Sequence, residues 1–207
     1  MKTEIDSVSY GLGVSIGENL KKSNFENLNF DLISKGMSEF YSGKPGMTAE
    51  QANTAIRAFM SVAEKKKGDD NTKKGQAFLD ENKKKEGVKV TPSGLQYMVM
   101  KEGTGPKPTI NDNVTTHYHG TLIDGTVFDS SVDRGQPASF PVSGVIPGWT
   151  EALQMMSVGS KYKLFVPANL AYGERGAGPQ IGPNSTLIFE VELISIDPKT
   201  DPKTEQK

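Results

Sequence analysis

The side chains able to do chemistry fall in four short stretches of the 207-residue sequence. In "HYHG", His117 and His119 stand two apart, which puts both imidazoles on one face of a strand. The sequence has no cysteine and no third histidine, so a carboxylate would have to complete any metal site there. Both histidines fall on the polar face of their segment and read as an exposed pair. The stretch "DGTVFDSSVDRG" carries Phe128, Asp129 and Arg134. In "VIPGWTEALQMM" the only tryptophan, Trp149, follows Pro-Gly directly, with Val145 and Ile146 just before it. The fourth stretch, "LAYGERGAGPQIGPNSTL", is dense in Gly and Pro yet carries Tyr172 and Ile181. Long loops between ordered strands are more often functional than decorative.

What is missing narrows the chemistry. The sequence contains no G-x-S-x-G elbow, no Walker loop and no dinucleotide fingerprint. Without cysteine there are no disulfides, thiol nucleophiles or thiolate metal sites. A carboxylate, a guanidinium, a phenol and an indole remain, groups that bind and orient. Trp149 is open to two readings, a core anchor or a wall of a pocket; Asp129 reads equally as a turn residue and Tyr172 as a buried hydroxyl.

Two regions of different period must position these groups. From about residue 3 to 86 the apolar spacing is helical. Val8, Leu12, Ile16 and Leu20 recur every four residues, and Ser9, Gly13 and Gly17 form a parallel line. Glycine costs about 1 kcal/mol in a helix relative to alanine, so that line suggests the close approach of another helix. A second helix runs through Leu32, Ile33, Gly36, Met37, Phe40 and Tyr41 and is capped by Gly43. A third opens on "TAEQ", where Thr48 and Gln51 fit a capping box. Its apolar face (Ala52, Ile56, Phe59, Ala63) gives way to a polar stretch that reads as a spacer, with breaks plausible at Gly68 and Gly75. Unbroken to residue 86, the helix would be about 57 Å long. Three such helices expose more apolar face than they can cover, which predicts association with a second copy.

Beyond residue 89 the period becomes two. Leu95, Tyr97 and Val99 alternate with polar or flexible neighbours, as do Val114, Thr116, Tyr118, Gly120 and Leu122. Tyr162, Leu164 and Val166 follow, then Leu187, Phe189, Val191 and Leu193. One apolar and one wet face predict an antiparallel sheet covered on one side, with a hairpin at Asp124-Gly125. The one helix available to cover it begins at Trp149. The fold class is therefore α+β: a helical arm and spacer over 1–88, a sheet curled over a short helix over 89–197, and a disordered tail over 198–207.

Composition excludes some partners. With 24 Lys+Arg against 25 Asp+Glu, the net charge of −1 provides no overall field for nucleic acid. The lysine runs 65–67 and 83–85 read as solvated helix surface. No apolar run approaches the roughly 18 residues that span a bilayer. The start "MKTEIDSVSYGL" lacks a signal-peptide core. Expected locations are the cytoplasm or, if a signal was trimmed, the periplasm or cell envelope.

Taken together, "HYHGTLIDGTVFDSS", "VIPGW", "LAYGERGAG" and "TLIFEVEL" resemble an FKBP-type peptidyl-prolyl cis-trans isomerase over about residues 89–197. The arm, with "SVSYGLGVSIGENLKK" and "GQAFLDENKKKEGV", is similar to bacterial members of the macrophage-infectivity-potentiator type, in which the amino-terminal helices dimerise. The resemblance implies a pocket built from Tyr118, Phe128, Asp129, Val145, Ile146, Trp149, Tyr172, Ile181 and Phe189. Trp149 would be its floor, beneath the prolyl ring. The Ile146 N–H and the Tyr172 hydroxyl would bind substrate carbonyls, and Asp129, held by Arg134 and Tyr118, would position the amide. Ala138 stands where the best-known eukaryotic pattern has an aromatic, and Ala177 where the flap often has histidine; both departures bear on substrate preference and inhibitor affinity. The implied partners are unfolded or flexible proteins with X-Pro bonds, held by a homodimer, and macrolide immunosuppressants as inhibitors. No cofactor is implied. The rival reading is a chaperone or adaptor that binds prolyl segments without catalysis.

Overall fold

The computed structural model describes residues 2–23, 25 and 27–197, so the tail expected to be disordered lies outside the described residues. The chain divides into two compact units, 1–57 and 58–207.

In the first unit, α1 (Glu4–Lys22) opens on a capping box. Thr3 Oγ1 accepts from the Asp6 N–H, and the Asp6 carboxylate accepts from the Thr3 N–H. Helix α2 (Phe30–Tyr41) begins at an Asn29 cap and ends where Gly43 takes φ of 74°, the left-handed turn expected there. Neither helix has a buried residue. Among the described residues, nothing lies within 4 Å of a notional Cβ at Gly13 or Gly17.

Helix α3 (Ala49–Asn82) starts at the expected box, with Thr48 and Gln51 exchanging backbone-to-side-chain hydrogen bonds. It runs unbroken through Gly68 and Gly75, about 51 Å at 1.5 Å per residue. The two glycines are not breaks. Both are buried, Gly68 against Pro183 and Asn184, and Gly75 where a Cβ would overlap the Thr186 hydroxyl. Nor is this half of the helix a solvated spacer. Leu79 and Asn82 are buried, and Phe78 packs on Phe165 at 6.0 Å between centroids. Asn82 Nδ2 donates to Gln96 Oε1 (3.0 Å), and Gln96 Nε2 donates to the Leu79 carbonyl (2.9 Å).

The second unit continues with β1 (Val88–Val90), β2 (Gln96–Lys101), β3 (Asn113–Leu122), β4 (Val127–Ser130) and β5 (Ala138–Pro141). Then come α4 (Pro147–Met155), β6 (Lys161–Val166) and β7 (Leu187–Asp197). The strands form one antiparallel sheet in the order β1-β2-β6-β7-β3-β4, with β5 also on β3. Asp124-Gly125 makes the β3–β4 hairpin, Gly125 at φ 87°. Pro147 opens α4, two residues ahead of the expected start at Trp149. It fits because the first helical position needs no N–H partner. Alternation holds as read: Val114, Thr116, Tyr118, Leu164, Val166, Leu187, Phe189, Val191 and Leu193 turn inward onto Trp149, Ala152, Leu153 and Met156. The opposite face is not uniformly wet, since Gln96 and Phe165 are buried on it beneath α3. Among the described residues no helix is long and apolar enough to cross a membrane.

Candidate active site

Strand β3 pairs with β4 at one end (Gly120↔Asp129) and with β5 at the other (Thr116↔Ala138). The segment between them must leave the ladder, and Ser131 replaces the missing rung. Its hydroxyl accepts from the Tyr118 N–H at 2.7 Å and donates to the Tyr118 carbonyl at 3.2 Å, while Ser131 itself is fully buried. His119 and His117 belong to the same brace, with Nδ1 atoms 3.0 Å from Ser130 Oγ and 3.1 Å from Ser131 Oγ. They are half-buried and bonded to serines, which corrects the expectation of an exposed pair.

This brace presents three polar groups together. The Tyr118 hydroxyl donates to Asp129 Oδ2 at 2.5 Å and accepts from Arg134 Nη2 at 2.8 Å, while Arg134 Nη1 donates to Asp129 Oδ1. Partial burial alone would raise the Asp129 carboxyl. The Tyr118 hydroxyl and the Arg134 guanidinium outweigh it and hold the group below the ordinary 3.8. Burial, followed by the Asp129 carboxylate, pushes the Tyr118 phenol above 10.0. At neutral pH the cluster is thus an ionised carboxylate, a neutral phenol and a cation.

Beside it opens a cavity of about 720 Å³. Trp149, 4% exposed, forms its floor, with Tyr118, Phe140 and Phe189 meeting the indole edge to face at 5.4, 6.0 and 5.2 Å. Phe128 stands edge-on to Phe189. Gly120 makes that possible, because a Cβ there would sit 2.7 Å from the Phe128 ring. Val145 and Ile146, at the head of α4, form one wall; Tyr172 and Ile181 form the other. Among the described residues the Ile146 N–H donates to no other group, and the Tyr172 hydroxyl, on a side chain 41% exposed, also has no partner.

Nine of the ten residues singled out from sequence therefore line one cavity, and Arg134 reaches it through Asp129 and Tyr118. Trp149 is both core anchor and pocket floor. Ala177 lines the cavity; Ala138 packs against the core instead. Sequence reading missed Phe140, whose strand is four residues long and ends at a proline, and Ser131, a buried serine with nothing local to mark it. The arrangement can take an apolar ring, hold a polar group with a fixed carboxylate, and donate hydrogen bonds from the Ile146 N–H and the Tyr172 hydroxyl.

Comparison with known proteins shows the family. Residues 105–194 match the family model for FKBP-type peptidyl-prolyl cis-trans isomerase, and 5–99 match the domain amino-terminal to such isomerases. The chain is 48% identical to the outer membrane protein MIP of Legionella longbeachae, over 95% of this chain and 87% of that protein. It is 48% identical to the FKBP-type 22 kDa peptidyl-prolyl cis-trans isomerase of Escherichia coli, over 91% and 93%. The crystal structure of FkpA from Escherichia coli superposes with a TM-score of 0.74 at 36% identity, covering 97% of this chain and all of that one.

Proposed function

The chain belongs to the FKBP-type peptidyl-prolyl cis-trans isomerase family and is a peptidyl-prolyl isomerase, and from that premise we propose that X-Pro bonds turn in the cavity floored by Trp149. Rotation about such a bond meets a barrier of about 18–20 kcal/mol, because the planar amide loses its resonance. Uncatalysed, the event takes tens to hundreds of seconds. No covalent bond breaks, so the pocket need only favour the twisted amide over the flat one.

The residues divide that task. The prolyl ring rests on the indole between Phe128, Phe189 and Tyr118. The Ile146 N–H and the Tyr172 hydroxyl donate to substrate carbonyls on either side. Asp129, held by Tyr118 and Arg134, orients the amide. A twisted amide has lost conjugation and part of its charge separation, so a water-poor aromatic hollow penalises the planar form more. Each ~1.4 kcal/mol of that preference is worth tenfold in rate. The observation that carries this reading is the fixed Tyr118–Asp129–Arg134 cluster at the edge of a largely apolar cavity floored by aromatic rings. NMR exchange spectroscopy on an X-Pro peptide tests it. Asp129→Leu and Tyr172→Phe should slow catalysed exchange while leaving the fold intact, and wild-type rates in both would refute the site.

Clients in this reading are unfolded or flexible chains, engaged by a homodimer. Supporting it are the exposed apolar residues of α1 and α2, including Val8, Leu12, Phe30 and Phe40, and the bare glycine line of α1. Sedimentation should give a dimer, and Val8→Glu with Leu12→Glu a monomer; a monomeric wild type would overturn it. Macrolide immunosuppressants would occupy the same hollow, with Ala177 at its edge setting their affinity.

A further inference from the structure

The pocket wall bearing Tyr172 and Ile181 is a loop with little support of its own. Its two legs are tied by a bridge between Ala177 and Ile181, with N–H···O distances of 2.8 and 3.2 Å, and by the Asn184 N–H donating to the Gly173 carbonyl at 2.8 Å. Gly173 and Asn184 both take positive φ, 56° and 55°. Asn184 is thus a non-glycine residue in a sparsely populated conformation, which the surroundings must hold.

What holds it is α3. Asn71 Nδ2 donates to the Pro183 carbonyl at 2.8 Å and lies 3.4 Å from Ser185 Oγ, which itself donates to the Gly182 carbonyl at 2.9 Å. The two carbonyls just before Asn184, those of Gly182 and Pro183, are therefore both engaged. Two glycines make room for this approach: a Cβ at Gly68 would come within 3.3–3.4 Å of Asn184 and Pro183, and one at Gly75 would overlap the Thr186 hydroxyl. Two helix glycines, each costing about 1 kcal/mol of intrinsic propensity, stand one turn to either side of Asn71.

We infer that Asn71 is a positioning residue for isomerisation: through Pro183 and Asn184 it sets the base of the loop that carries Tyr172 and Ile181 into the pocket. The inference rests on the site assignment above. It makes the second half of α3 part of the pocket's support, in addition to its link with the amino-terminal unit.

The test compares Asn71→Ala, Asn71→Asp and Thr72→Ala in the full-length protein, with Tyr172→Phe alongside. Asp keeps the size of Asn but sets an acceptor against the Pro183 carbonyl. Thr72 bonds only its own helix, at the Gly68 carbonyl, and serves as a control for helix stability. Both Asn71 variants should lower kcat/KM for an X-Pro peptide by about threefold to tenfold, well below their melting temperatures. They should also shift the amide resonances of Tyr172 and Ile181 while leaving those of β1 in place. Thr72→Ala should match wild type. A folded Asn71→Asp with wild-type kcat/KM and unmoved Tyr172 and Ile181 resonances overturns the inference, whatever its melting temperature. So does a Thr72→Ala that loses as much as Asn71→Ala. Should Asn71→Asp fail to fold, Asn71→Ala carries the same test. If Tyr172→Phe itself has a wild-type rate, the site assignment has failed; if Tyr172→Phe is slow and the Asn71 variants are not, only the role of Asn71 has.

Discussion

Replacing Trp149 by phenylalanine should leave the fold at least as stable as before while disabling the pocket. The indole is almost fully buried against three aromatic rings. Phenylalanine keeps a ring there but gives up roughly 40 Å² of apolar burial, about 1 kcal/mol at 25 cal/mol per Å². The vacated volume opens into a cavity already present, so no sealed void adds to that cost. On the other side, the indole N–H is buried with no hydrogen-bond partner among the described residues. Removing an unpaired buried donor recovers about 1–3 kcal/mol. The gain cancels the loss or exceeds it by up to about 2 kcal/mol, so none of the ~3–5 kcal/mol loss typical when a buried aromatic is truncated to alanine is expected. Activity should respond differently, because the floor recedes from the prolyl ring. A tenfold fall in kcat/KM corresponds to about 1.4 kcal/mol of lost transition-state preference, a modest demand on a ring that makes up the whole floor. Urea unfolding and exchange spectroscopy on the same samples give both quantities. Destabilisation beyond about 3 kcal/mol would refute the offset, and an unchanged kcat/KM would refute the role of the floor.

Between the ordinary carboxyl and phenol values, 3.8 and 10.0, the Tyr118–Asp129–Arg134 cluster keeps one charge state. Because the folded Asp129 carboxyl lies below its ordinary value, the stability it contributes is complete above 3.8 and is lost only as pH falls through the lower folded value. kcat/KM should therefore be flat down to that range; a fall centred well above 3.8 would contradict the assignment. Asn82→Ala would leave Gln96 Oε1 buried without its donor and should destabilise the 58–207 unit by about 1–3 kcal/mol in urea unfolding. Leucine at both Asn82 and Gln96 should cost less than the single change, since an apolar pair strands fewer polar groups; a larger loss would refute the pairing as the source.

Local rules made much of the fold legible. The Thr48 box, the Gly43 cap, the Asp124-Gly125 hairpin and the alternation of β3 and β7 each depend on residues within a few positions of one another. What escaped depends on distant partners. Gly68 and Gly75 carry the same local penalty whether a helix breaks or a loop packs on it, and only Thr186 and Pro183, more than 100 residues away in sequence, decide between them. Gln96 reads as the polar face of a strand and is buried because Asn82 covers it. The pocket residues were found through family motifs; residue chemistry alone left Trp149 undecided, since the floor of a pocket and a core anchor need the same buried ring. Asn71, one polar residue in a lysine-rich helix, carried no local signal at all.

On the proposed reading, isomerisation happens inside the cavity floored by Trp149 and nowhere else on the molecule. Exchange spectroscopy on an X-Pro peptide, with the full-length protein titrated by a macrolide immunosuppressant, tests it most directly, using the Trp149 indole N–H resonance to report occupancy. Catalysed exchange should fall in step with the fraction of pockets filled and vanish at saturation. Exchange that stays fast while the indole resonance shows every pocket filled would contradict it.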